Sequence, residues 1–111
     1  MADNPIPKRI TEEKLRELFN ENYLDRIKKG EIEERVMRGA GRHPSLALSH
    51  EPFCTQSQEI WYFDLTTGQE LARAHRYLRP DGTIGASGMP DPKRLFLNGE
   101  LYRIIKKKNR P

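Results

Sequence analysis

Apolar residues near the start of the chain recur at helical spacing and predict an amphipathic helix from Thr11 to about Gly30. Thr11 suits the N-cap position, and Gly30 suits a left-handed C-terminal cap. A second, shorter helix is predicted over residues 31–38, with Ile32 and Val36 facing inward. The apolar face of the first helix consists of Leu15, Leu18, Phe19, Tyr23 and Ile27.

The hydrophobic period then changes to two, which is typical of half-buried strands. EIWYFDL (59–65) and ELARAHRYLR (70–79) predict two antiparallel strands joined by a turn at TTGQ. The facing residues depend on the register, because a slip of one residue exchanges the two sides of a strand. If Leu65 lies opposite Glu70, the buried face carries Trp61, Phe63, Leu65, Ala72, Ala74 and Leu78. The other face then carries Ile60, Tyr62, Arg73, His75, Tyr77 and Arg79.

KRLFLNGELYRII (93–105) predicts a second hairpin, because Asn98-Gly99 is the strongest short turn signal between apolar runs. The expected fold is therefore α+β, with two N-terminal helices packed on a small antiparallel meander of about four strands. We expect a single domain over residues 1–111. Residues 1–9 and 106–111 are expected to be flexible ends, with a short edge segment at IPKRI as an alternative. Residues 39–58 form a long connector, for which the sequence indicates no particular role.

Charge is distributed unevenly along the chain of 111 residues, whose net charge is +4. Residues 1–38 are balanced, whereas residues 71–111 carry ten Lys and Arg against three acidic residues. Such asymmetry favours a polyanionic partner, either a nucleic acid or an acidic protein surface. The excess is equally compatible with a solvated surface.

The remaining composition indicates a cytoplasmic protein without a membrane segment. Cys54 is the single cysteine, so no intramolecular disulfide can form, and no apolar run approaches the length of a bilayer span. His43, His50, Cys54 and His75 match no compact zinc pattern, so we predict no metal and no cofactor. The exposed side of the first helix is compatible with a homodimer.

HRYLRPDGTIGASGMPDPKR (75–94) holds the candidate chemistry. Pro80, Asp81 and Gly82 are typical of a β-turn, and basic residues flank the glycine-rich part on both sides. Backbone amides of small residues can approach a phosphate, so the segment predicts either an anion cradle or an ordinary loop between hairpins. The candidate nucleic-acid or phosphate-binding residues are Arg73, Tyr77, Arg79, Lys93, Arg94 and Arg103, the last with the basic tail Lys106, Lys107, Lys108 and Arg110.

A catalytic alternative rests on His75 and Arg76. Histidine moves protons near neutral pH and arginine stabilises a phosphoryl transition state, which is the chemistry of metal-independent ribonucleases. An acid or base partner would come from His43, His50 or Glu51 in the connector. A neutral histidine held by a hydrogen bond on a sheet face accounts for His75 equally well.

In architecture alone, two helices against a small sheet with basic and aromatic outer residues resemble the compact bacterial toxin endoribonucleases of the RelE type. No motif of that family matches residue by residue, so the resemblance implies no site residues. Three functions follow as hypotheses: a nucleic-acid-binding domain with RNA favoured, a metal-independent endoribonuclease using His75, and a module that docks an acidic protein.

Overall fold

The computed structural model describes residues 6–38, 55–85 and 88–105, which form a mixed six-stranded sheet with one interrupted helix against it. The strand order is β1-β6-β5-β4-β3-β2, with β1 parallel to β6 and all other neighbours antiparallel. The predicted α+β class is thus confirmed, whereas the predicted antiparallel meander of about four strands is wrong, because two further strands add at the edges and one of them is parallel to its neighbour. In chain order the elements are β1 (Lys8–Ile10), α1 (Glu12–Phe19), a π-helical segment (Asn20–Leu24), α2 (Asp25–Lys28), β2 (Ile32–Arg38), β3 (Gln56–Asp64), β4 (Glu70–Leu78), β5 (Asp91–Leu97) and β6 (Glu100–Ile104).

The helix begins and ends where the sequence predicts. The Thr11 hydroxyl accepts a hydrogen bond from the Lys14 amide at 3.1 Å, which satisfies one of the free amides of the first turn. Gly30 has φ of 80°, its amide donates to the Ile27 carbonyl, and the Glu31 amide donates to Arg26. This pair of bonds is the Schellman arrangement, which ends a helix sharply.

The second predicted helix is wrong, because residues 32–38 form strand β2 at an edge of the sheet. The pattern is ambiguous since Ile32 and Val36 are four residues apart, which is about one helical turn but also two strand periods. The Schellman motif at Gly30 stops the helix, and β2 then pairs antiparallel with β3, beginning at Ile32 opposite Asp64. Ile32 is buried and Val36 is half exposed.

Both predicted hairpins are present, but the sides of β3 are the reverse of the prediction. Trp61 lies opposite Arg73 rather than Ala74, a slip of one residue. The Asp64 carboxylate accepts hydrogen bonds from two amides of the following turn, so β3 ends there and Leu65 leaves the sheet, 58% exposed. A β-bulge then leaves Leu71 as an extra residue of β4 between the pairs Phe63–Glu70 and Tyr62–Ala72, so Tyr62 faces the helix and Trp61 faces away from it.

The core lies between the helix and one face of the sheet, which we call the inner face; the opposite side is the outer face. Phe19 and Tyr62 meet with ring centroids 5.5 Å apart, and Ala72 and Ala74 leave room for them. The buried cluster contains Leu15, Phe19, Tyr23, Ile32, Ile60, Tyr62, Leu71, Ala72, Ala74 and Leu95.

The second hairpin turns at Asn98-Gly99, where both residues have positive φ, 52° and 79°. This is the geometry the sequence predicts, and it fixes Arg94 opposite Arg103. β1 lies within the edge segment that was the alternative to a flexible end. Predictions for residues 1–5 and 106–111, and for most of the 39–58 connector, lie outside the described residues.

Candidate functional site

Each of the six described strands places one residue on a single line across the sheet. Strands lie about 4.8 Å apart, so this line is about 24 Å long. Directly paired residues project from the same side, which here is the outer face. We call the five arginines of this line the arginine row. From β2 to β1 the paired residues are Arg35, Trp61, Arg73, Arg94, Arg103 and Arg9.

Of the three members of the row that lie over aromatic rings, Arg35 and Arg73 cover rings of β3. The Arg73 Cζ atom lies 3.6 Å from the centroid of Trp61, and Arg35 lies 4.2 Å from that of Phe63. Each is also held by a carboxylate: Arg73 donates two hydrogen bonds to Glu70, and Arg35 donates two to Glu33. The outer face thus presents layers of guanidinium groups and rings whose planes can stack with further flat groups.

Arg94 and Arg103 differ, because neither makes an ion pair with any residue the structure describes. Among the described residues the buried Nε atom of Arg94 has no hydrogen-bond acceptor, and its Cζ lies 5.2 Å from the Phe96 ring centroid. Burial lowers the pKa of Arg94, and the charge of Arg73 lowers it further. Arg103 is exposed to solvent.

The middle of the row borders a concavity of about 550 Å³. A β-bulge opposite Arg73 and Ala74 places one extra residue in β5, so the consecutive cations Lys93 and Arg94 both line it. Four cationic side chains but a single carboxylate are among its lining residues, so its potential is positive. They are Glu59, Arg73, Ala74, His75, Tyr77, Lys93, Arg94 and Arg103.

His75 lies in the wall of this concavity. Its Nε2 atom is 2.7 Å from the Ser57 hydroxyl, and its ring meets Tyr77 edge-on with centroids 4.7 Å apart. Burial lowers the pKa of His75, and the charge of Lys93 adds to this effect, while Asp91 and Glu59 oppose it. The neutral imidazole is therefore favoured near pH 7, and its bond to Ser57 fixes the ring.

The nearby carboxylates are already engaged. Glu59 accepts a 2.7 Å hydrogen bond from the Trp61 indole. Asp91 accepts bonds from Lys93 at 3.0 Å and from Arg16 at 3.3 Å. None of these acids is positioned to neutralise Arg94.

Six of the residues singled out in the sequence line this concavity: Arg73, His75, Tyr77, Lys93, Arg94 and Arg103. Arg76 does not join them, because it points to the other side of β4. There its Nε donates to Gln58 at 2.8 Å, and its guanidinium lies 3.8 Å from Glu34. Arg79 lies in the turn that follows β4 and is not among the lining residues.

The glycine-rich loop uses its described amides internally. The Gly82 amide donates to Arg79, that of Gly85 to Tyr77, and that of Gly88 to Gly85, at 2.7 to 3.0 Å. A phosphate at these amides would have to compete with those bonds. Residues 86 and 87 lie outside the described residues, as do His43, His50, Glu51 and Cys54.

Sequence reasoning missed Arg9, Arg35 and Trp61 as members of the site. Arg9 reaches the row because β1 adds in parallel beside β6, a pairing between strands far apart in the sequence. Arg35 reaches it because residues 32–38 form a strand rather than a helix. No local spacing signals either event.

Comparison of the chain with protein-family models, with curated proteins and with solved structures finds no match. Within residues 6–38, 55–85 and 88–105, no helix combines the length and apolar content needed to span a bilayer.

Proposed function

We propose that the protein binds single-stranded nucleic acid, with RNA favoured, through the outer face of its sheet. The observation that carries the proposal is the arginine row. It places cations about one strand spacing apart from β4 to β1, and two spacings apart between Arg35 and Arg73, along one line, which suits a ligand that carries repeated negative charge. Arg94 and Arg103, which make no ion pair with the part of the chain that the structure describes, lie at adjoining positions of this line.

The aromatic content of the same face favours a single strand over a duplex. The unstacked bases of a single strand can lie on aromatic rings or on guanidinium planes, whereas a duplex presents mainly its backbone. Trp61 under Arg73, Phe63 under Arg35, and Tyr77 beside His75 supply such planes next to the cations. The single cysteine fits the reducing cytoplasm, where such a ligand is abundant.

The proposal is tested by fluorescence anisotropy with labelled single-stranded RNA, single-stranded DNA and duplex RNA. We expect the single strands to bind best, with affinity falling between about 50 and 200 mM salt at a log–log slope of about −0.7 for each phosphate contacted. Arg103→Glu should weaken binding at least about tenfold, because it reverses a charge in the row. Lys28→Glu makes the same change on an exposed helical position and should leave affinity within about twofold.

Binding that barely changes with salt, or that Arg103→Glu leaves intact, would contradict the proposal. An acidic protein is the alternative partner for the same charge. It would be retained by the immobilised protein after nuclease treatment, and it would be displaced by RNA only if both use the outer face.

A second function, metal-independent RNA cleavage, is favoured by one observation: His75 lines the same concavity as Lys93 and Arg94. A neutral imidazole could take the proton of a ribose 2′-hydroxyl as its oxygen attacks phosphorus; the bond from phosphorus to the 5′-oxygen breaks, that oxygen takes a proton from water, and the cations stabilise the negative charge. Arg76, on the inner face, would take no direct part.

The expected activity is cleavage in EDTA that leaves a 2′,3′-cyclic phosphate and spares a substrate with deoxyribose at the scissile position. Intact RNA after prolonged incubation, or undiminished cleavage by His75→Ala, would eliminate this second function. Neither result would bear on the proposal that the protein binds RNA.

A further inference from the structure

Three guanidinium groups occupy directly paired positions on neighbouring strands: Arg73 on β4, Arg94 on β5 and Arg103 on β6. The Cα atoms of directly paired residues lie about 4.5 to 5.5 Å apart, and like charges at such positions destabilise a sheet. A fold keeps such an arrangement only where something compensates the repulsion or where function requires it.

The described residues provide too little compensation. Both carboxylate oxygens of Glu70 accept from Arg73. Asp91 is shared by Lys93 and Arg16, and Glu59 accepts from Trp61. The cluster is therefore short of negative charge at its centre.

Arg94 lies at that centre, and one of its hydrogen-bond donors has no acceptor among the described residues. Its guanidinium carbon lies over the Phe96 ring, and that donor, the Nε group, is buried. A buried donor without an acceptor destabilises the fold, and proteins rarely retain one without a reason. Burial is the largest cause of the lowered pKa of Arg94, and the charges of Arg73 and Arg103 add to it, while the charge of Glu70 opposes them only in part.

We propose that Arg94 anchors a discrete phosphate site, with Arg73 and Arg103 on either side and Lys93 at the rim of the concavity. The phosphate group supplies the negative charge that the cluster lacks. The planar guanidinium presents paired donors that match two phosphate oxygens, which a lysine ammonium cannot reproduce. The inference rests on the proposed function for the source of the phosphate, a nucleic acid; a free phosphate compound shares the same chemistry.

A phosphate-binding role and a purely structural role of Arg94 predict opposite effects on stability and on ligand binding when the charge is removed. If Arg94 serves only to pack on Phe96, its replacement lowers stability and leaves ligand binding intact. If it anchors a phosphate, Arg94→Met relieves the repulsion and the buried donor, so the unliganded protein becomes more stable while phosphate binding is lost.

The test is thermal denaturation of the full chain at constant ionic strength, alone, with inorganic pyrophosphate and with a short single-stranded RNA. Either ligand should raise the Tm of the parent protein, because it binds the folded state. Arg94→Met should melt about 4 °C higher without ligand and should show no rise with either. Arg94→Lys should keep a reduced rise, and Lys28→Met, which removes one exposed helical charge, should respond like the parent.

The outcomes separate this inference from the proposed function. If RNA binds, Arg103→Glu abolishes binding and Arg94→Met does not, the proposed function stands and the Arg94 site is refuted. If pyrophosphate raises the Tm of the parent but not of Arg94→Met, while RNA has no effect, the phosphate site stands and the nucleic-acid ligand is refuted. A lower Tm for Arg94→Met with normal ligand response, or no rise in the parent with either ligand, overturns the inference.

Discussion

The Arg73 guanidinium lies 3.6 Å above the Trp61 ring while donating two hydrogen bonds to Glu70. Three groups from two strands therefore form one rigid stack in which a cation is held by a ring below and a carboxylate beside it. Arg73 remains at the wall of the concavity. The stack places the only tryptophan of the chain next to the candidate site.

Trp61 should therefore act as an intrinsic reporter. Arg73→Met is expected to change the fluorescence emission, because the indole loses its cationic cover, and to lower stability by about 1–2 kcal/mol. Arg35→Met is the matched control, since Arg35 covers Phe63 and not Trp61. Its emission should equal that of the parent, and equal spectra for all three proteins would contradict the stacked geometry.

His75 should make stability depend on pH in the mildly acidic range. Its folded pKa is lowered by burial and by Lys93, so the unfolded chain takes up a proton at a higher pH than the folded one. The stabilisation is complete above the unfolded pKa of about 6.5 and is lost as pH falls from there through the folded value. Urea unfolding between about pH 7.5 and 5 measures it.

The control for this pH effect is His75→Gln. Its unfolding free energy should fall less across the same range, because the other titrating groups are shared with the parent. Asp64, by contrast, has its pKa lowered to about 2 by Arg26 and the turn amides, so it acts only at lower pH. Parallel pH curves for the parent and His75→Gln would contradict the burial of His75.

Two tyrosines of the core should respond oppositely to loss of the hydroxyl. The Tyr62 hydroxyl is buried and makes no hydrogen bond of normal geometry among the described residues, although the Glu34 carboxylate is close enough to help burial raise its pKa. The Tyr23 hydroxyl, by contrast, donates to the Phe96 carbonyl. Tyr62→Phe should leave stability unchanged or raise it by up to about 1 kcal/mol, and Tyr23→Phe should lower it by about 1–2 kcal/mol. Denaturant titration compares the two, and a larger loss for Tyr62→Phe would reveal a partner for that hydroxyl.

The stability of the hairpin that pairs Arg94 with Arg103 should depend on the conformation of the Asn98-Gly99 turn. Gly99 has φ of 79°, and a Cβ there would meet no atom within 4 Å. Gly99→Ala should therefore cost about 1–2 kcal/mol through backbone conformation alone. Asn98→Gly, at φ of 52°, should be close to neutral, and equal losses for both variants would contradict this interpretation.

Local chemistry explains which elements were predictable. Thr11 and Gly30 mark the helix ends, and Asn98-Gly99 marks the second hairpin, because each acts through its own backbone or its immediate neighbours. The side assignment of β3 failed because β4 carries a β-bulge at Leu71, beside the turn that the Asp64 carboxylate stabilises, and the extra residue shifts the pairing by one. The hydrophobic pattern does not encode a bulge or the conformation of the turn.

The candidate site was predictable only in part for the same reason. Arg73, His75 and Tyr77 alternate along one strand, so their common face follows from period two alone, and that alternation also separates Arg76 from His75. Joining them to Arg94 requires the β4–β5 pairing, and joining Arg9 requires the parallel addition of β1. Pairings between distant segments are set by packing of the whole sheet.

Because the arginine row lies on five of the six described strands and is continued through Trp61 on β3, it exists only when every pairing between them is aligned. A shift of one residue in any pairing would turn that strand's member to the inner face. A polyanion would thus select the correctly assembled sheet over misaligned forms. The stability added by a bound polyanion should be largest for β1. That strand is held to its neighbour by only three residue pairs and would otherwise be the first to fray.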